Sequence, residues 1–250
     1  MRKVTYGAAL VAALSIASCS ESGKTTNQEI TDVGAAKSDS VIVAGEPCDI
    51  KLDKIHFTKS INGADTLITQ EANGLIRFQV GEKKDYFSDP DGKLSNNTAP
   101  ILLAKVDNTK PFTIISKVSP GFTDKGLYNA GVLYVYANEN LYQKHCFEQD
   151  ERGHHRVVTV RTNGTSDDAN HDVITQAYVY MKISSDTKTV ASYYSLDNKT
   201  WQMVRLYKNE YPKDIWLGIS AQCPIDTGTV SYFEDISLEE KSVSDFRLGL

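Results

Sequence analysis

The sequence predicts an all-β fold, a jelly-roll sandwich of two antiparallel sheets, and three observations carry that prediction. Short segments rich in Val, Ile, Thr and Tyr recur along the chain, the composition that fits a pleated and half-buried surface. Clusters of Gly, Asn, Asp and Pro separate them and supply the turns. Several segments alternate with period two, as in Val230-Ser231-Tyr232-Phe233, and none sustains a helical apolar stripe.

The N-terminus has a different character. Arg2 and Lys3 precede an uncharged run from Gly7 to Ala17, too short to span a bilayer and shaped like a secretory signal core. It leads through Ile16-Ala17-Ser18 to Cys19, an arrangement that resembles a bacterial lipobox and implies a signal peptide over 1–18 and acylation of Cys19. Each buried acyl methylene contributes about 0.8 kcal/mol, so several chains on one residue hold a protein to a membrane without a transmembrane helix. Residues 19–45 are polar and small, without an aromatic side chain, and read as a flexible tether. The expected domain spans 46–240, followed by a C-terminal tail over 241–250. The expected location is the cell envelope, on the outer membrane facing the periplasm or the cell surface. A formal charge of −5 argues against a nucleic-acid partner, which calls for a basic face. Oligomeric state is left open.

Within the domain the clearest strands are Phe112–Val118, Val132–Ala137, Tyr142–Glu148, Val157–Thr162, Ala177–Ile183, Val190–Leu196, Trp201–Leu206, Trp216–Ala221 and Val230–Leu238. About a dozen strands in some two hundred residues exceeds an immunoglobulin domain and suits a large jelly roll. Asn62-Gly63, Asn73-Gly74, Asp91-Gly92 and Asn163-Gly164 provide tight reversals. With Cys19 assigned to lipid, Cys48, Cys146 and Cys223 remain. Three unpaired thiols are expected, with a Cys146–Cys223 bridge as the alternative.

The strand Tyr142–Glu148 carries the most chemistry. In extended conformation Tyr142, Lys144, Cys146 and Glu148 point to one face, and Gln143, His145 and Phe147 to the other. An aromatic ring, a cation and a carboxylate on one sheet face can stack on a pyranose and hydrogen-bond its hydroxyls; the alternative is a solvated face whose charges pair with neighbours. Asp85, Trp201 and Gln222 complete the expected carbohydrate site. Asp85, Asp89, Asp167 and Asp168 are further carboxylate sources, although Asp167-Asp168 reads as a solvated turn. Tyr128, Tyr134, Tyr136, Tyr193, Tyr194 and Trp216 are mostly expected in the core. His145, His154, His155 and His171 lack metal-ligand spacing, so no cofactor is expected, while a structural calcium held by loop oxygens stays open.

Several phrases occur in an order that resembles a known family. They are Asp85-Tyr86-Phe87-Ser88-Asp89-Pro90, Asn129-Ala130-Gly131, Tyr142 to Glu148, Val157 to Val160 with Asn163 to Asp167, Tyr194 to Trp201 with Arg205, and Gly218 to Pro224 before Val230. Together they resemble the domain-of-unknown-function family labelled "regulation of enolase" in the concanavalin A-like lectin/glucanase superfamily. The resemblance covers about 49–238 and implies a concanavalin A-like jelly roll with a ligand face on its concave side. Two departures stand out. Tyr128 and Asn129 replace an acidic residue and a glutamine. In the family's Trp-x-Lys-x-Gly-x-Glu phrase, Tyr142 and Cys146 stand for the tryptophan and the glycine, so Cys146 is expected to narrow any pocket above that strand. Some glucanases of the superfamily carry Glu-x-Asp-x-Glu, matched here by Glu148 and Asp150 but broken by Arg152. The expectation is therefore a carbohydrate-binding protein, with a glycan-active enzyme using Glu148 as acid/base, or a protein-binding assembly lipoprotein, as alternatives.

Overall fold

The computed structural model describes residues 44–250, so the signal, Cys19 and nearly all of the tether lie outside the described residues. In chain order the strands are β1 (Glu46–Leu52), β2 (Ile55–Ile61), β3 (Ile68–Gln70), β4 (Ile76–Gly81), β5 (Tyr86–Ser88), β6 (Ser95–Asn97), β7 (Ile101–Asp107), β8 (Phe112–Pro120), β9 (Ala130–Asn138), β10 (Leu141–Gln149), β11 (His155–Asn163), β12 (Thr165–Val173), β13 (Val179–Ser185), β14 (Thr189–Ser195), β15 (Gln202–Lys208), β16 (Asp214–Gln222) and β17 (Gly228–Glu239). One 3-10 turn, Ala64–Thr66, interrupts them.

The protein is a sandwich of two large antiparallel sheets. Sheet A has eight strands in the order β1-β2-β7-β16-β9-β10-β11-β12, and sheet B seven in the order β15-β14-β13-β8-β17-β4-β3. The non-sequential neighbours β7-β16-β9 and β8-β17-β4 are the crossovers of a jelly roll. A separate hairpin of β5 and β6 belongs to neither sheet.

Period-two alternation sorts the side chains into three layers. Leu133, Val135, Phe147, Leu217 and Ile219 from sheet A meet Ile114, Val118, Met181, Ile183 and Phe233 from sheet B in the main core. Each fully buried side chain of this size contributes about 1.5–3 kcal/mol. The opposite face of sheet A carries a second apolar cluster of Val132, Tyr134, Tyr136, Tyr142, Cys146, Val158 and Val160, joined by Tyr86 and Phe87 of the β5 region. The outer face of sheet B carries a third, with Tyr193 and Trp201 packed beneath Val243 and Phe246 of the C-terminal segment. That segment closes on itself, because the Ser244 and Asp245 amides both donate to the Leu250 carbonyl oxygen.

Close packing explains the glycine of the Asn129-Ala130-Gly131 phrase. A Cβ on Gly131 would lie 2.4 Å from Cγ1 of Val118, inside any tolerable contact. Cys48 is half-buried and Cys146 and Cys223 are buried, and all three are unpaired.

Candidate functional site

The register of sheet A lays out the floor of a cleft. Gly218, Tyr134, Lys144, Val160 and Asp168 form one row across five strands. A parallel row runs through Gln222, Ala130, Glu148 and Arg156. Between them lies the row Ser220, Val132, Cys146 and Val158, whose shorter side chains leave room above the sheet.

A wall is added by residues 84–99, which cross above the sheet. Lys84 and Cys223 exchange two backbone hydrogen bonds, of 3.0 and 2.8 Å. The Ser88 amide donates to Ser166 Oγ at 3.0 Å, and Asn62 Nδ2 donates to the carbonyls of Asn97 and Ala99 at 2.8 Å. Pinned at these points, the segment presses Tyr86 into the sheet face, where its hydroxyl lies 2.9 Å from that of Tyr136 and its ring stands edge-on to Tyr142 at 5.1 Å. It also directs Asp85, Phe87, Leu94 and Asn96 into the cleft.

The result is a cleft of about 470 Å³, lined from sheet A by Lys144, Glu148, Val158, Val160, Asp168 and Gln222, with Tyr128, Pro224 and Ile225 contributed by the loops before β9 and after β16. Lys144 is 3% exposed. Its Nζ donates to Gln222 Oε1 at 3.2 Å, lies 3.7 Å from Asp85 Oδ1 and sits 5.8 Å from the centre of the Phe87 ring. Gln222 in turn donates to the Tyr134 hydroxyl at 2.7 Å, and Asp85 accepts from its neighbour's amide, Tyr86 N, at 2.7 Å and from Asn96 Nδ2 at 3.2 Å. The polar end of the cleft is thus fixed before any ligand arrives.

Electrostatics divide the charged groups. Burial disfavours the Lys144 ammonium, but neighbouring groups, the Asp85 carboxylate foremost, outweigh it and its pKa lies above the ordinary range. Glu148 is half-buried, and among the described residues its carboxyl makes no hydrogen bond. Desolvation pushes its pKa up to about 8, with Asp168, Asp85 and Asp150 adding to the rise and Lys144 opposing it. Desolvation also raises Asp168, with Asp167 adding to it, although this residue lies at the open rim. The raised pKa favours the protonated Glu148 carboxyl, which can donate a hydrogen bond, while Lys144 is a cation with a built counter-charge in Asp85.

Four of the six expected ligand residues, Asp85, Lys144, Glu148 and Gln222, meet in this cleft. Tyr142 and Trp201 do not line it. Tyr142 is 1% exposed, sealed beneath Tyr86, and cannot offer a face to a ligand. Trp201 lies on the outer face of the other sheet, where Lys182 Nζ is 3.6 Å from its ring centre and donates to the Gly249 carbonyl at 2.8 Å. The aromatic rings that do reach the cleft are Phe87 and Tyr128. Tyr128 is 37% exposed and adopts φ 64°, a left-handed conformation that is rare for a bulky residue and tends to mark functional positions.

The structure corrects the turn reading of Asp167-Asp168 and places the remaining residues singled out in the sequence. Asp167-Asp168 lies within β12 rather than in a turn; Asp167 pairs with Arg205 at 3.2 Å, while Asp168 lines the cleft. Asp150, the middle member of the broken Glu-x-Asp-x-Glu phrase, is 1% exposed and serves the β10–β11 turn through Arg156 at 2.8 Å. Cys146 belongs to the buried layer under the cleft. His145 points into the sandwich, its Nε2 2.8 Å from the Tyr193 carbonyl oxygen. Among the described residues no three His, Cys, Asp or Glu side chains gather as a metal site, and no helix is long and apolar enough to cross a membrane.

Fold and cleft together define a jelly-roll sandwich with a ligand-sized depression on one sheet face. Residues 64–241 match the family described as "Protein of unknown function (DUF1349)", and the chain belongs to that family. The label "regulation of enolase" is not part of that match. Among solved structures the chain is similar to a functionally unknown protein from Saccharomyces cerevisiae, with 22% identity and a TM-score of 0.66 over 74% of this chain and 97% of that one. It is also similar to "Bacteroides ovatus Xyloglucan PUL GH43B", with 12% identity and a TM-score of 0.58 over 82% of this chain and 41% of that one. The GH43 BlXynB protein from Bacillus licheniformis is a further neighbour, with 15% identity and a TM-score of 0.56 over 78% of this chain and 38% of that one. At these identities the likeness establishes the sandwich fold alone. No curated protein matches the chain.

Proposed function

We propose that this protein binds carbohydrate in the cleft between sheet A and residues 84–99, as a non-catalytic lectin-like protein. The observation that carries the proposal is the convergence of Lys144, Gln222, Asp85 and Glu148 at one end of a cleft whose other surfaces are Phe87, Tyr128, Leu94 and Ile225. Sugars present hydroxyls around a ring and apolar C–H faces above and below it. A site for them needs fixed donors and acceptors beside aromatic or aliphatic surface. Similarity to parts of two proteins whose names carry GH43 is consistent with a carbohydrate-related role and adds no residue-level support. A glycan array probed with the purified protein tests the reading. Binding that Lys144→Ala abolishes supports it, and silence across plant, host and bacterial glycans refutes it.

One observation favours a second reading, a glycan-active enzyme. Glu148 is an acid held protonated near neutral pH in the same cleft as Asp85 and Asp168, the kind of tuned carboxyl that protonates a leaving group. Turnover of an oligosaccharide that Glu148→Gln abolishes, with glycan binding retained, decides for the enzyme.

The proposal extends to location. Acylation at Cys19 and a polar tether would hold the domain at the cell envelope, on the outer membrane facing the periplasm or the cell surface.

A further inference from the structure

We infer that the cleft selects neutral sugars that carry a methyl group, as a 6-deoxy or an N-acetyl sugar does, and rejects acidic ones. This rests on the carbohydrate reading above and narrows it.

Charge is the first argument. Asp85 and Asp168, together with the Glu148 carboxyl whose raised pKa favours its neutral form, line the cleft against one cation, Lys144. That cation is already engaged, with Asp85 Oδ1 at 3.7 Å and Gln222 Oε1 at 3.2 Å. Arg205, a cation of sheet B that also acts on Asp168, is turned to Asp167 at 3.2 Å. A uronate or sialate carboxylate would enter a site with no unengaged cation among the described lining residues and with Asp168 at its rim. Recognition of a carboxylate calls for the opposite arrangement, an accessible guanidinium or ammonium. A neutral hydroxyl or amide has no such conflict, since Gln222, Lys144 and a protonated Glu148 present both donors and acceptors.

The second argument is the apolar surface at the mouth. Leu94 is 48% exposed and Ile225 59% exposed, and both line the cleft with Phe87 and Tyr128. Ordinary hexoses offer narrow C–H faces, for which one aromatic ring suffices. Aliphatic side chains beside the rings match a ligand with a protruding methyl group. A methyl in an apolar pocket discriminates by about tenfold or more.

The test is calorimetric titration of the purified protein with the methyl glycosides of L-rhamnose, N-acetylglucosamine, glucose and glucuronic acid. The expected result is binding of rhamnoside or N-acetylglucosaminide at least tenfold tighter than glucoside, with glucuronide weakest. Which of the first two leads identifies the source of the methyl group. In the Leu94→Ser/Ile225→Ser variant the preference over glucoside should shrink below threefold. Glucuronide binding as tightly as the neutral sugars, or glucoside equalling the methyl-bearing ones, overturns the inference and leaves the carbohydrate reading standing. If none of these sugars binds and the glycan array is silent too, both fall.

Discussion

Replacing Glu148 by glutamine should change how the stability of the protein depends on pH. The carboxyl titrates at about 8 in the fold against an ordinary 4.5. The groups facing it are Lys144 on its own strand, Asp168 from β12, Asp85 from the segment above the sheet, and Asp150 and Tyr128 from neighbouring loops. Because the folded pKa is raised, the folded state holds a proton that the unfolded chain releases. The stability this gives is fully present below pH 4.5 and is lost as pH rises through about 8. At about 1.4 kcal/mol per pH step the interval sets a ceiling near ~5 kcal/mol. Solvent at the half-buried carboxyl screens part of it, so a loss of about 2–4 kcal/mol between pH 5 and pH 9 is expected. Glutamine keeps the shape and the neutral state at every pH, so E148Q should be flatter across this range by that amount and more stable than the parent at pH 9. Urea unfolding at pH 5, 7 and 9, followed by tryptophan fluorescence, measures this. Parallel pH profiles for parent and variant would refute the argument that the cleft holds Glu148 neutral.

Two further outcomes separate the cleft from the rest of the molecule. Trp201→Ala should cost about 3–5 kcal/mol in unfolding free energy, because the ring is 8% exposed and covered by the C-terminal segment, yet it should change glycan affinity less than twofold. Lost glycan binding at unchanged stability would instead make Trp201 a ligand contact. Cys19→Ala should abolish incorporation of labelled palmitate and shift the protein from the membrane to the soluble fraction; continued labelling would refute acylation at that residue.

The fold was legible in the sequence because apolar alternation and turn residues are local signals. The nine strands read from the sequence all have counterparts in the structure, within a few residues at each end. Local signals also explain what escaped. β12, Thr-Ser-Asp-Asp-Ala-Asn-His-Asp-Val, is polar on both faces and forms the edge of sheet A, and a strand held by backbone pairing and polar side-chain bonds carries no apolar pattern. β7 fails in the opposite way, since Ile101, Leu102, Leu103 and Ala104 are all buried and their run shows no alternation.

The site was half legible for a related reason. Alternation on β10 placed Lys144 and Glu148 on one face, and the structure keeps them there. Whether a residue on that face is open to ligand depends on what crosses above it, which is a tertiary fact. Tyr86 settles it for Tyr142 by covering the ring. Phe87 and Leu94 enter the cleft from a segment whose position is fixed by distant hydrogen bonds to Asn62, Ser166 and Cys223. Tyr128 carried a visible hint, standing where the resembled family has an acidic residue, but its left-handed backbone appears only in three dimensions.

The most direct test of the central claim is to map a bound glycan on the protein by amide chemical-shift changes in NMR, using the strongest ligand from the array. The account predicts shifts clustered at 85–96, 128, 144–148, 158–168 and 222–225, saturating together as ligand is added. Shifts confined to the opposite sheet around Trp201 and residues 243–250, or no saturable shifts with any glycan that binds the array, would contradict it.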